Sequence, residues 1–221
     1  SGALLGPAFS DLLSGMTAAQ AVLAALHARG ADGDGEPIDV SMVGAVLDFL
    51  TEAASTYLQT GQVSHPDSRP RRAQAYACRG SDGLAFVIHM SVPEKFWRGL
   101  VEVLERPDLV DDPRFSSREA RVANYDELDA ELKAVALTRP RDEWMRRLAD
   151  HDIPHGPLNT IAELFDDPQI AHMQLVGSVT DDGGATLRVP LPSTRFERSG
   201  MPPLRPAPRL GQHTTGPEAG F

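Results

Sequence analysis

Cysteine is almost missing from the chain: Cys78 is the only one in 221 residues. A lone cysteine excludes an internal disulfide and a cysteine-based zinc site, and it fits a reducing, cytoplasmic setting. Uninterrupted apolar stretches are short, none approaching the ~20 residues that span a bilayer, so no membrane association is expected. The opening Ser1-Gly2-Ala3 puts no charged region ahead of an apolar run; it reads as a cloning remnant or a cut inside a longer protein rather than a signal peptide. Basic charge is in deficit, 21 Lys+Arg against 31 Asp+Glu for a net −10. That field disfavours nucleic acid and anionic lipid, so an anionic ligand would have to be met by a local basic patch. The seven histidines show no H-E-x-x-H spacing, and no metal is expected. G-x-S-x-G, the P-loop and G-x-G-x-x-G are also missing. No βαβαβ series is present, which excludes a complete nucleotide-binding sheet within these residues.

What remains is an ordinary globular composition, 41% hydrophobic and 24% charged. Apolar spacing predicts a helix over 11–29, with Leu12, Met16, Ala19, Leu23 and Leu26 on one face and Gly30 as its stop. Ser41 is the expected cap of a second helix running to about Gln59. Its apolar residues lie on more than one side, which implies burial or a partner. Residues 61–74 read as a polar loop. Strands are expected near 74–79 and 84–90 around Ser81-Asp82-Gly83, and near 176–180 and 185–189 around Asp181 to Gly184. Between the hairpins stand four helix starts: Ser91 with Glu94, Asn124 with Glu127, Pro140, and Thr160 with Glu163. The tail from Gly200 is rich in proline and glycine and is expected to be extended.

Few side chains suggest chemistry. Asp11, at a helix start, reads as a carboxylate favoured by the helix dipole. Cys78 reads as a small buried hydrophobe. His151 and His155, flanking Ile153-Pro154, read as structural or exposed. The segment Ser68-Arg69-Pro70-Arg71-Arg72 stands apart, with three guanidiniums in four residues of an acidic chain. Arg69, Arg71 and Arg72 are candidate contacts for phosphate or carboxylate groups, which the guanidinium fork grips with two parallel bonds; the alternative is a surface loop paired with nearby acids.

Eight spaced motifs resemble one family when taken in series. They run from Asp11-Leu12-Leu13-Ser14-Gly15 and Gly33-Asp34-Gly35-Glu36-Pro37-Ile38-Asp39-Val40-Ser41 to Asp82-Gly83 with Phe96-Trp97. Asp112-Pro113-Arg114-Phe115 with Arg121 and Asn124, Glu143-Trp144, Ile153-Pro154-His155-Gly156-Pro157 and Asp167-Pro168-Gln169 follow in order. Ala207-Pro208-Arg209-Leu210-Gly211-Gln212-His213-Thr214 closes the series. The chain is similar in these to the C-terminal half of class III CoA-transferases, the CaiB/BaiF type, with Glu36 where glutamine is usual.

The resemblance implies an α/β family fold built as an interlocked homodimer. In this chain that means mostly helices with two small β-hairpins: 1–60 the C-terminal part of a large Rossmann-like domain, 61–175 a small α+β domain, and 176–221 a return to the large domain. It implies transfer of CoA from an acyl-CoA thioester to a free carboxylic acid through an aspartyl intermediate. The resemblance further implies no permanently bound cofactor, with coenzyme A thioester as a substrate. The nucleophilic aspartate is expected upstream, so no catalytic residue is assigned within the chain, Asp11 matches a different family aspartate, and the chain alone is expected to be inactive. Related racemases place a glutamate just before the Asp-Gly turn. Cys78, Arg79, Gly80 and Ser81 stand there instead, which favours transfer over an acyl-CoA racemase or isomerase of the same fold. A non-catalytic fragment or subunit needing its N-terminal half is the other alternative.

Overall fold

The computed structural model describes residues 6–30, 33–90, 93–181, 183–201 and 203–212. They divide into two compact units, Ser1–Arg72 and Ala73–Phe221.

The first unit holds α1 (Phe9–Ala28), α2 (Met42–Phe49), α3 (Thr51–Thr60) and most of α4 (Ser68–Ala73). Ser41 caps α2 as expected, its hydroxyl accepting the Gly44 N–H at 3.2 Å. The long second helix expected from the sequence is instead two. The Thr51 hydroxyl bonds back to the Asp48 carbonyl at 2.5 Å, and Leu50 separates α2 from α3. Such a side chain competes with the helical backbone for its own carbonyls. Gly61 ends α3 at φ +71°, a conformation glycine reaches without a steric penalty. Residues 61–74, expected to be loop throughout, include the single helical turns of α4.

This unit is apolar outside. Leu12, Met16, Leu23 and Leu26 of α1 are exposed, as are Val43, Leu47 and Leu50 around α2; only Ala45 is buried in α2. By length and composition alone α1 suffices to cross a bilayer, with 20 residues that include an 18-residue stretch of mean hydropathy 1.3. The sequence expectation concerned an uninterrupted run, which α1 is not. Leucine, valine and alanine raise the mean, while Ser10, Asp11, Ser14 and Gln20 interrupt the run.

The second unit contains the core. β1 (Ala75–Arg79) and β2 (Ala85–His89) form the expected hairpin, with Tyr76 opposite Ile88 and Cys78 opposite Phe86. A third strand, β3 (His155–Pro157), was not anticipated; it pairs antiparallel with β2 and makes a three-stranded sheet. Period-2 alternation sends Tyr76, Cys78, Phe86 and Ile88 inward. Onto that face pack α5 (Pro93–Val103), α7 (Tyr125–Ala136) and α8 (Arg141–Asp150), through Trp97, Leu100, Leu128, Leu132, Trp144 and Leu148. The i, i+4 recurrence of Phe96, Leu100 and Leu104, and of Trp144 and Leu148, makes each stripe continuous.

Helix starts follow the chemistry of individual side chains. Thr160 and Glu163 form the expected capping box on α9 (Ile161–Asp166). Asn124 does not cap α7; its amide donates to Arg114 O and Ala120 O, which spends the side chain on the preceding turn. Pro140 lies just before α8 rather than within its first turn. Ser91 lies outside the described residues. A short 3-10 turn (Pro107–Leu109), α6 (Arg118–Ala123) and α10 (Pro168–Met173) add elements too short to show a period. A second sheet, β4 (Val176–Thr180) with β5 (Thr186–Pro190), is the expected hairpin. Asp181 Oδ1 accepts the N–H groups of Gly183 and Ala185 in its turn.

Candidate functional site

The three candidate arginines lie on α4, and each meets an acid. Arg69 Nη1 donates to Glu52 Oε2 at 3.0 Å, and Arg72 donates to the other oxygen, Oε1. Arg71 Nε donates to Asp67 Oδ2 at 2.5 Å, and Asp67 Oδ1 lies 2.5 Å from His65 Nδ1. The Arg72 and Arg69 bonds hold the Glu52 carboxyl below its usual range; bonds from Arg71, then His65, do the same for Asp67. The structure therefore brings Arg69 and Arg72 together on one carboxylate and gives Arg71 a separate partner. The Asp67–Arg71 pair was legible as an i, i+4 spacing. Glu52, 17 and 20 residues away, left no local signal.

The remaining candidates are structural. Asp11 is exposed in the first turn of α1. Cys78 is 2% exposed, and burial pushes its thiol up to about 12, which removes it as a nucleophile at neutral pH. His151 Nδ1 lies 3.0 Å from Arg147 O. His155 Nδ1 lies 2.6 Å from Ile153 O, a carbonyl that can only accept, so the Nδ1 proton is fixed there. Among the described residues no group of three or more His, Cys, Asp or Glu side chains is placed to hold a metal ion.

Several resemblance motifs have architectural roles. The Asp82 carboxylate spans two elements: Oδ1 accepts Leu84 N–H at 3.1 Å in its own turn, and Oδ2 accepts Arg141 N–H at 3.0 Å at the start of α8. Asp82 thus supplies from the hairpin the cap that Pro140 cannot. Gly80 permits this approach, since a Cβ there would sit 2.5 Å from Arg141 N. Asp112 and Asp167 each accept a backbone N–H two residues on, from Arg114 and Gln169 respectively, closing turns around Pro113 and Pro168. Arg121 is fully buried. It donates to Gln74 Oε1, Phe115 O and Glu94 Oε1 at 2.9–3.0 Å, with its guanidinium 4.8 Å from the Trp97 ring centroid. Sequence reasoning placed Arg121 in a motif without detecting that it is the core's buried cation.

The first unit presents an exposed apolar surface, and the motif residues of the second serve its architecture. The profile of CoA-transferase family III matches residues 2–214, and the chain belongs to that family. It is 30% identical over 216 residues to the succinyl-CoA:glutarate CoA-transferase of Mus musculus, covering 95% of this chain and 48% of the relative. It is 29% identical over 213 residues to the succinyl-CoA–D-citramalate CoA-transferase of Chloroflexus aurantiacus, covering 95% and 52%. Among solved structures, a CaiB/BaiF family protein from Brucella suis superposes with a TM-score of 0.77 at 30% identity, covering 96% of this chain and 55% of that one. The chain spans about half the length of the curated relatives it matches.

Proposed function

We propose that these residues form the C-terminal half of an enzyme that moves CoA from an acyl-CoA thioester to a free carboxylic acid. The observation that carries this reading is the family match, which runs through every element from α1 to the tail. In the reaction an aspartate outside this chain attacks the thioester carbonyl, giving a mixed anhydride and releasing CoA thiolate. The thiolate attacks the aspartyl carbonyl, releasing the donor acid and leaving an aspartyl-CoA thioester; the acceptor acid then reverses both steps. CoA is substrate throughout, and no resident cofactor is invoked.

Within this reading 1–60 belong to a large Rossmann-like domain, 61–175 to the small domain and 176–221 to the returning segment. The exposed apolar residues of α1 to α3 support cover by the N-terminal half of the enzyme; an interlocked homodimer in the cytoplasm completes the proposal. The family match includes α1, which favours protein over lipid as its cover. Arg69, Arg71 and Arg72 are the proposed contacts to CoA phosphates or the acid.

The test is turnover. The chain alone, offered several acyl-CoA donors with succinate, glutarate or oxalate, is expected to show none, and co-expression with its N-terminal half is expected to restore exchange. Enzymatic rates, on the order of 1 s⁻¹ or more, from the chain alone would overturn the assignment of the nucleophile.

A further inference from the structure

Arg69 and Arg72 stand three residues apart on α4 and so share a face. Both converge on Glu52 of α3, one guanidinium on each carboxylate oxygen. The site therefore already holds an oxyanion, and that oxyanion comes from the protein. Its side chains remain 81%, 58% and 53% exposed for Arg69, Arg72 and Glu52, so solvent and solutes reach all three. Exposed pairs of this kind hold weakly and exchange readily. A phosphate group presents more charge and more acceptor oxygens to the same donors than a carboxylate does. Arg71, held by Asp67, fixes the adjoining turn by an i, i+4 pair.

We propose that Arg69 and Arg72 form a two-guanidinium clamp for a phosphate group, and that Glu52 is its built-in competitor, displaced when the ligand arrives. The inference rests on the CoA-transferase reading for its choice of ligand, a phosphate of CoA; the clamp itself requires only phosphate chemistry. Glu52 then has a function beyond joining α3 to α4, because it keeps the clamp from collecting free phosphate.

The experiment is a calorimetric titration of the full chain with CoA and, separately, with inorganic pyrophosphate, at low and physiological salt. Glu52→Gln, an exposed and nearly isosteric change, is expected to tighten binding of both ligands by about threefold or more, as removal of two weak competing pairs predicts. Adding Arg69→Ala or Arg72→Ala to Glu52→Gln is expected to abolish that gain. A gain for pyrophosphate without one for CoA would uphold the clamp and overturn CoA as its ligand. Unchanged affinity of Glu52→Gln for both ligands would overturn the clamp and leave Glu52 as a structural link. Circular dichroism of each variant separates loss of binding from loss of fold.

Discussion

Replacing Arg121 with leucine should damage the second unit more than any surface change, and the geometry sets the scale. Arg121 is fully buried and satisfies two buried acceptors, Gln74 Oε1 at 3.0 Å and the Phe115 carbonyl at 2.9 Å. Leucine donates to neither, and each acceptor left unsatisfied costs about 1–3 kcal/mol. The shorter side chain also leaves space beside Trp97, adding about 1 kcal/mol. The third partner, Glu94, is 70% exposed and returns to water when released. The total, about 3–7 kcal/mol, is a large part of the ~5–15 kcal/mol that holds a domain. Glu94→Ala, by contrast, should cost less than Arg121→Leu, because it leaves both buried acceptors satisfied and opens Arg121 Nη2 to water, although it removes a counter-charge from a buried cation. Urea unfolding followed by tryptophan fluorescence reads this directly, because Trp97 and Trp144 both lie in the second unit's core. With a slope near 2 kcal/mol/M, the Arg121→Leu midpoint should fall by about 1.5 M or more. Arg121→Lys should fall between, since it keeps the charge but loses the planar fork. Equal midpoints for Arg121→Leu and the parent, or an equal loss in Glu94→Ala, would refute the reasoning.

Gly80→Ala should destabilise the same unit more than Asp82→Ala, because its Cβ would meet the Arg141 backbone N at 2.5 Å, whereas Asp82→Ala loses the exposed α8 cap, about 1 kcal/mol, and one exposed turn bond from Leu84 N–H; thermal midpoints of both variants check the order. Acid should unfold the chain through carboxylates whose folded pKa values are depressed: Asp112 chiefly by Arg114, Glu163 chiefly by the Thr160 N–H, and Glu105 chiefly by Arg147. Their contribution is complete above the unfolded values, 3.8 for aspartate and 4.5 for glutamate, and is lost as pH falls through the lower folded ones. Urea midpoints should therefore be level between pH 7 and 6 and fall steadily below 4.5; a midpoint that stays level down to pH 3 would contradict this. Cys78, buried with its thiol pushed up to about 12, should react with thiol reagents at a negligible rate in the native chain and rapidly in urea, as a mass-resolved labelling time course would show.

Much of the fold lay open in the sequence because local rules produced it. The β1–β2 and β4–β5 hairpins, the Ser41 cap and the Thr160–Glu163 capping box each depend on residues within a few positions of one another. The core residues Phe86, Trp97, Leu100, Leu128, Leu132, Trp144 and Leu148 were readable for the same reason, since a helix or strand repeats its buried face at a fixed period. Family membership was legible too, because eight short motifs in fixed order carry information that no single one does.

Tertiary structure alone decided the contacts between distant positions. β3 is three residues long and carries no period of its own; it is a strand only because β2 offers it an edge. Asp82 reaches across 59 residues to start α8. Arg121 finds Gln74 47 positions away, and its burial depends on the Trp97 and Phe115 walls that close around it. The α4 arginines looked alike in sequence, yet the fold sorted them. Arg71 pairs locally with Asp67, while Arg69 and Arg72 share Glu52, because α3 and α4 are held where a carboxylate from one meets two guanidiniums from the other. Sequence sets the local geometry through backbone sterics and nearby hydrogen bonds; which charge meets which is fixed only when packing brings remote segments within about 3 Å of each other.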